Sequence, residues 1–232
     1  MTCELYTQGR YAENYPTWHV EHSAWKAQHV LDMLKRNRLA PRTIAEVGCG
    51  AGEILKQLHD RMDDQVRLVG YDISPQAHAL SESRVSERLQ FKLMDFLQDE
   101  TAEFDLILLI DVVEHIDDYY HFLRALKPRT RYVILHLPLD LSVQTVLRKD
   151  FFRTVHESAG HLHYFSQETA RQMLADVGYE ILDARLTASS LDLPMTSFKM
   201  ALARLPRKLL YALNPGFACR LLGGSSLLVL AQ

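Results

Sequence analysis

Hydrophobic positions along this chain fall into two kinds of run, and their order predicts a layered α/β domain. Apolar residues recur at i, i+3, i+4 and i+7 over 22–36, where Ala27, Val30, Leu31 and Leu34 mark one face of a helix. The same spacing returns after Glu53, with Ile54, Leu55 and Leu58. Short alternating or continuous apolar runs at 43–47, 66–71, 89–94, 104–110, 131–138, 179–186 and 226–231 predict seven strands. The run Phe104-Asp-Leu-Ile-Leu-Leu-Ile110 is the most apolar, as expected of a central parallel strand buried on both faces. Ser74-Pro75 opens a further helix running to about 87, with serine as N-cap and proline at the first helical position. Another is expected over 118–126, closed by Lys127-Pro128, and another from Ser166 to Val177-Gly178, a glycine stop.

Three segments lack such periods. Residues 1–20 are polar and aromatic with no helix or strand spacing, and 139–165 read as an irregular excursion over the carboxyl edge of the sheet. Residues 188–222 form an insertion that mixes leucines with Arg204, Arg207, Lys208 and Arg220, either an amphipathic surface for a membrane or lipid-like substrate, or a stripe packed on its own domain. His22 and Lys26 are expected in solvent at the rim of the first helix. The whole reads as a single domain: an N-terminal lid or helix region (1–40), a core (41–187), a helical insertion (188–225) and a last strand (226–232).

Composition narrows the picture. A chain of 232 residues suffices for one α/β domain with additions. Its net charge of −3 provides no global field for nucleic acid. Cys3, Cys49 and Cys219 lack disulfide or metal spacing, which points to a reducing, cytoplasmic compartment. The first twenty residues hold no apolar run of a signal peptide, and no run reaches the length of a membrane span.

The chemistry concentrates between Thr43 and Asp111. Glu46-Val-Gly48-Cys49-Gly50-Ala-Gly52 joins a strand to a helix, and glycines there let the backbone approach a ligand and adopt positive φ. Asp72 ends the second strand, twenty residues after Gly52, where such sheets place a carboxylate for ribose hydroxyls. The glycine spacing is not that of a dinucleotide fingerprint. Glu46 would repel a pyrophosphate but suits a ligand carrying an ammonium group.

These residues resemble the first motif of the class I S-adenosylmethionine-dependent methyltransferases. Tyr71-Asp72-Ile73-Ser74-Pro75 resembles the second, and Asp111-Val-Val-Glu114-His115 resembles the fourth motif of small-molecule members such as the ubiquinone-biosynthesis O-methyltransferases. The resemblance implies a doubly wound, mostly parallel seven-stranded Rossmann-like sheet with an antiparallel last strand. It implies S-adenosylmethionine as cofactor and S-adenosylhomocysteine as product. Cofactor contacts are expected at Glu46, Gly48, Cys49, Gly50, Gly52, Asp72, Ile73, Ile110 and Asp111, with Asp95 and Phe96 toward adenine. In such enzymes the leading helix lies over the pocket and serves as part of a lid; the alternative is a helix that only packs on the sheet.

The expected acceptor is a small molecule carrying a hydroxyl or an amine, with no nucleic acid, no membrane span and no defined oligomeric state. Histidine is the side chain best placed to take the acceptor's proton near neutrality. His115 ranks first and His136, at the end of the fifth strand, second; His161, His163 and Tyr164 are substrate-side candidates. No metal is expected. If a helix began at Asp111, then Asp111, Glu114 and His115 would share one face and could hold a divalent ion, but histidine is a poor magnesium ligand. The rival readings are a catalytically silent cofactor-binding protein, a nicotinamide oxidoreductase and an RNA methyltransferase.

Overall fold

The computed structural model describes residues 2–193 and 198–232, with side chains from residue 5 and, in the second stretch, from residue 204. Seven strands form one sheet: β1 (Thr43–Val47), β2 (Arg67–Asp72), β3 (Leu89–Leu93), β4 (Phe104–Ile110), β5 (Thr130–Pro138), β6 (Ile181–Thr187) and β7 (Ser226–Ala231). Their spatial order is β3-β2-β1-β4-β5-β7-β6. β1 to β5 pair in parallel, and β7 runs antiparallel to both β5 and β6. The expected seven-stranded, mostly parallel sheet with an antiparallel last strand is therefore present.

Period-two alternation in the central strand divides the core. Leu106, Leu108 and Ile110 pack on one side with Val30, Met33, Leu55 and Leu58, whereas Ile107 and Leu109 pack on the other with Leu123, Leu126, Met173 and Leu174. The first layer is built by α3 (Val20–Arg36) and α4 (Glu53–His59). The second is built by α6 (Tyr119–Leu126) and α9 (Gln167–Val177). α5 (Pro75–Ser81) flanks β2 and β3, and the Ser74 hydroxyl accepts from Ala77 N at 3.3 Å as its cap. This helix stops at Ser81 and tightens into a 3₁₀ turn over Glu82–Arg84, short of the expected 87.

Two expectations are corrected, and the expected helical insertion is present. Residues 1–20 are not aperiodic coil: α1 (Thr2–Thr7) and α2 (Arg10–Asn14) fold there, short helices that pack by aromatic rings rather than an apolar stripe. The excursion at 139–165 carries α7 (Val143–Leu147) and α8 (Phe151–Ala159). α7 opens on a capping box in which Ser142 and Thr145 satisfy each other's backbone N–H groups. The insertion contains α10 (Ser189–Asp192), α11 (Phe198–Leu213) and α12 (Pro215–Leu222), with Pro206 inside α11. Among the described residues, no helix is long and apolar enough to cross a membrane.

Candidate active site

The carboxyl ends of β1, β2 and β4 open into a cavity of about 760 Å³. Its floor is the turn after β1, where Gly48, Gly50 and Gly52 take φ of +71°, +54° and +76°. A Cβ on Gly48 would lie 2.7 Å from Val112 Cγ2, and one on Gly52 2.3 Å from Phe91 Cε1, so both positions demand glycine twice over. Asp72 fixes the turn: its Oδ2 accepts from Gly50 N at 2.7 Å and its Oδ1 from Ser74 N at 2.8 Å. Each oxygen keeps a lone pair for a further donor.

Glu46 lies beneath, 1% exposed, and its Oε2 has no hydrogen-bond partner. Burial, aided by Asp72 and opposed by Lys26, pushes its carboxyl up to about 8. Glu46 is thus a neutral acid at pH 7, in wait for a cation. Asp95 caps the short turn after β3 by accepting from Leu97 N at 2.9 Å, and it stands exposed at the cavity rim. Phe96 lends the cavity wall its backbone, while its ring, 1% exposed, is core between Tyr71 and Phe104. Cys49, Ile73 and Ile110 also line the cavity, and Cys49 Sγ is turned down against β2.

Asp111 sits at φ +56°, a left-handed conformation that aspartate tolerates better than most residues. No α-helix begins there; a 3₁₀ turn over Val113–His115 follows instead, so Asp111, Glu114 and His115 do not share a helical face. The Asp111 carboxylate goes elsewhere, to Lys26 Nζ at 2.7 Å and His136 Nδ1 at 2.6 Å. Although burial acts to raise it, Lys26 and His136 prevail and hold Asp111 well below the usual carboxylate range. His136 is 4% exposed, and its Nε2 meets Thr187 Oγ1 at 2.8 Å. With both ring nitrogens engaged, His136 orients Asp111 rather than facing an acceptor.

Lys26 is the correction with most consequence, because it was expected in solvent. It lies three residues after Ser23 and four before Val30, both buried, so the helical period itself places it on the inward stripe. Burial would lower its pKa, but Asp111 raises it and keeps the ammonium charged.

His115 has a free nitrogen. The Tyr6 hydroxyl donates to Ala159 O at 3.0 Å and lies 2.9 Å from His115 Nδ1, which is also 3.2 Å from Gly160 O. That arrangement puts the ring proton on Nδ1 and leaves Nε2 bare, 3.8 Å from Glu114 Oε1. Burial, then the neighbouring His161, lowers His115 to about 4. Glu114 is wholly buried with both carboxylate oxygens unpartnered, and burial followed by Asp111 pushes it well up. His161 completes the group: its Nδ1 donates to Asp140 Oδ2 at 2.8 Å, and one ligand atom each from Glu114, His115 and His161 lie within 4.8 Å of one another.

His163 and Tyr164 do not reach the cavity. His163 Nε2 bonds Ile116 O at 3.0 Å, and the Tyr164 hydroxyl donates to Phe152 O at 2.9 Å, so both tie loops together. The sequence reading missed Tyr6, Tyr11 and Trp18, which wall the cavity from the N-terminal segment. Trp18 lies over the glycine turn, 3.4 Å from where a Cβ on Gly50 would be. Their only signal was aromatic density in a stretch without period.

Comparison with known proteins agrees with this geometry. A family model described as a methyltransferase domain matches residues 18–184. A curated relative, methoxy mycolic acid synthase MmaA3 of Mycobacterium tuberculosis, is 27% identical over 137 residues, 55% of this chain and 46% of its own. The chain therefore spans less than half the length of that relative. Among solved structures, magnesium protoporphyrin IX methyltransferase (ChlM) of Synechocystis PCC 6803 superposes with TM-score 0.60 at 16% identity, covering 90% of this chain and 82% of that one. N-methyltransferase NodS of Bradyrhizobium japonicum WM9 superposes with TM-score 0.55 at 17% identity, covering 89% and 84%.

Proposed function

The chain belongs to the class I S-adenosylmethionine-dependent methyltransferases, and from that membership we propose that it transfers a methyl group to a hydroxyl or amine of a small-molecule acceptor, in the cytoplasm. The observation that carries this reading is a buried, neutral Glu46 with an unpartnered oxygen beneath three positive-φ glycines. That set of groups fits the cofactor: an acceptor for its ammonium group, Asp72 for ribose hydroxyls, and the Asp95 carboxylate with the Phe96 N–H for adenine. When bound, S-adenosylmethionine supplies a methyl group already activated by a sulfonium.

The protein's own contribution is placement, dryness and one proton. Val112, Ile110 and Ile116 give the cavity apolar walls, and the Tyr6, Tyr11 and Trp18 rings of the first 40 residues act as its lid. His136 and Lys26 hold Asp111 at the strand tip. His115, neutral at pH 7 with Nε2 bare, accepts the acceptor's proton. This reading routes no step through a metal: burial, then Asp111, pushes the Glu114 carboxyl up, which favours its protonated form over a ligating carboxylate. The name of one structural neighbour, a magnesium protoporphyrin IX methyltransferase, supports a small-molecule acceptor.

Thermal shifts with S-adenosylhomocysteine and with NAD test the cofactor; stabilisation by the first alone is expected. With an acceptor found by library screening, His115→Ala is expected to lower kcat at least ~100-fold and leave the cofactor Kd within about threefold. Unchanged kcat removes His115 from the proton path. Exhaustive chelation is expected to leave turnover intact; lost turnover restored by a divalent ion would move Glu114, His115 and His161 from proton handling to metal binding.

A further inference from the structure

The insertion builds a surface that methyl transfer does not use. Seven of the twelve large hydrophobic residues exposed among the described residues lie on α7, α11 and the start of α12: Val143, Val146, Leu147, Leu205, Leu209, Leu213 and Phe217, each between 51% and 79% exposed. Leu205, Leu209 and Leu213 recur every fourth residue and form one stripe on α11. α12 packs against both α7 and α11, so the three helices make one continuous face. Arg207 staples it from within, its Nη2 bonding Gln144 Oε1 at 3.1 Å and Leu222 O at 3.2 Å. An apolar face of this kind on a monomer marks a docking site.

Charge says what docks. From residue 193 to 232 the sequence contains no Asp or Glu, but it has Lys199, Arg204, Arg207, Lys208 and Arg220, in a chain whose net charge is −3. Arg148 and Lys149, both exposed, follow directly after Leu147. Two nearby acids are already paired: Asp150 with Arg153 at 3.3 Å, and Glu168 with Arg220. A second copy of the chain would set this basic fringe against itself, with no acid in the segment to answer it. A surface with leucines at its centre and exposed Arg148, Lys149 and Lys208 at its edge matches the acyl boundary and phosphate layer of an anionic bilayer.

We propose that the face formed by α7, α11 and α12 docks this protein on anionic lipid membranes, lying in the interface without crossing it. α10 packs on α11 and contributes Ser189 to the cavity wall, so docking places the cavity beside the lipid surface. The inference stands apart from the methyl-transfer reading, since none of the seven apolar residues lines the cavity.

The test is co-sedimentation of the full chain with vesicles of phosphatidylcholine alone or mixed with phosphatidylglycerol. Binding is expected to the mixed vesicles, at least tenfold weaker to phosphatidylcholine, and to fall with added salt. The double variant L209E/L213E is expected to lose binding tenfold or more while keeping the circular dichroism spectrum and melting temperature of the parent. Failure of the parent to bind mixed vesicles overturns the proposal, and so does undiminished binding by the folded double variant. If sedimentation shows a dimer that the double variant dissolves, with no vesicle binding, the face belongs to a second copy and the membrane is excluded.

Discussion

At the scale of single residues, the site is governed by which buried acids keep their protons. Of the carboxyls at the strand tips, three are driven apart by their environments. Asp111 is held ionised by Lys26 and His136, whereas Glu46 and Glu114 are pushed up by burial. The sign for Glu46 follows from linkage. Unfolded it titrates near its ordinary 4.5 and folded at about 8, so between those values the native state holds a proton the unfolded chain has lost. Ligand-free stability therefore falls as pH rises from 4.5 to 8. A ligand ammonium reverses this by drawing the proton off. Binding of S-adenosylhomocysteine at pH 7 is expected to release close to one proton, read by calorimetry in two buffers of different ionisation enthalpy. Glu46→Gln is expected to abolish that release and weaken binding by about 1.5–3 kcal/mol, the range for a hydrogen bond to a charged group. Equal heats in the two buffers would mean that Glu46 does not meet the cation. His115 moves the opposite way: lowered to about 4, it is unprotonated at all higher pH. At saturating cofactor, kcat is expected to lose its acid limb only below about pH 5, not near the 6.5 of an unperturbed histidine. The glycines, Glu46 and Asp72 were legible in sequence because backbone approach and charge leave few choices of residue. Lys26 was not, because a lysine on a helix defaults to solvent unless its partner is known, and Asp111 is 85 residues away.

At the scale of elements, strands proved easier to read than short helices, for physical reasons. A parallel strand must be apolar where it is buried, and 106–110 is so in sequence and in structure. α1, α2, α7 and α8 are short or rely on caps and rings, so no long stripe announces them. Gly70 shows how a strand residue outside the motifs shapes the site. It lies in β2 next to Tyr71 and Asp72, and a Cβ there would be 2.6 Å from Phe91 Cδ1 and 2.7 Å from Cys49 Sγ. Gly70→Ala is expected to cost about 1–3 kcal/mol through overpacking. That is a fall of roughly 2–12 °C in Tm for a domain of this size. Because Cys49 belongs to the glycine turn, cofactor affinity is expected to weaken as well. A variant with parental Tm and affinity would show that Phe91 and Cys49 yield without consequence.

At the scale of the molecule, a sheet common to the family carries two additions, one at each end of the sequence. The family match begins at residue 18 and ends at 184, which leaves α1 and α2 before it and the α10–α12 insertion after it. The first addition walls the cavity. Tyr6 reaches across it to His115 and Ala159, and Tyr6, Tyr11 and Trp18 stack at centroid distances of 4.8 to 6.4 Å. Burial first, then Tyr11, keeps the Tyr6 hydroxyl protonated well beyond the physiological range, so it remains a donor to the Ala159 carbonyl. Neither core cluster includes Tyr6, and the sheet packs against α3, α4, α6 and α9 without α1 or α2. Removing residues 1–14 is therefore expected to leave a folded domain. His115 would then lose the hydroxyl at its Nδ1, and the cavity would admit water. Turnover is expected to fall at least ~10-fold, the low end for disturbing an oriented proton acceptor, and the acid limb of kcat to move upward from about pH 5 toward 6.5 as His115 becomes hydrated. Tyr6→Phe separates the two effects, because it removes the hydroxyl and keeps the ring. If the acid limb moves in the truncated chain but not in Tyr6→Phe, exclusion of water sets the histidine's basicity; if it moves in both, the hydroxyl does.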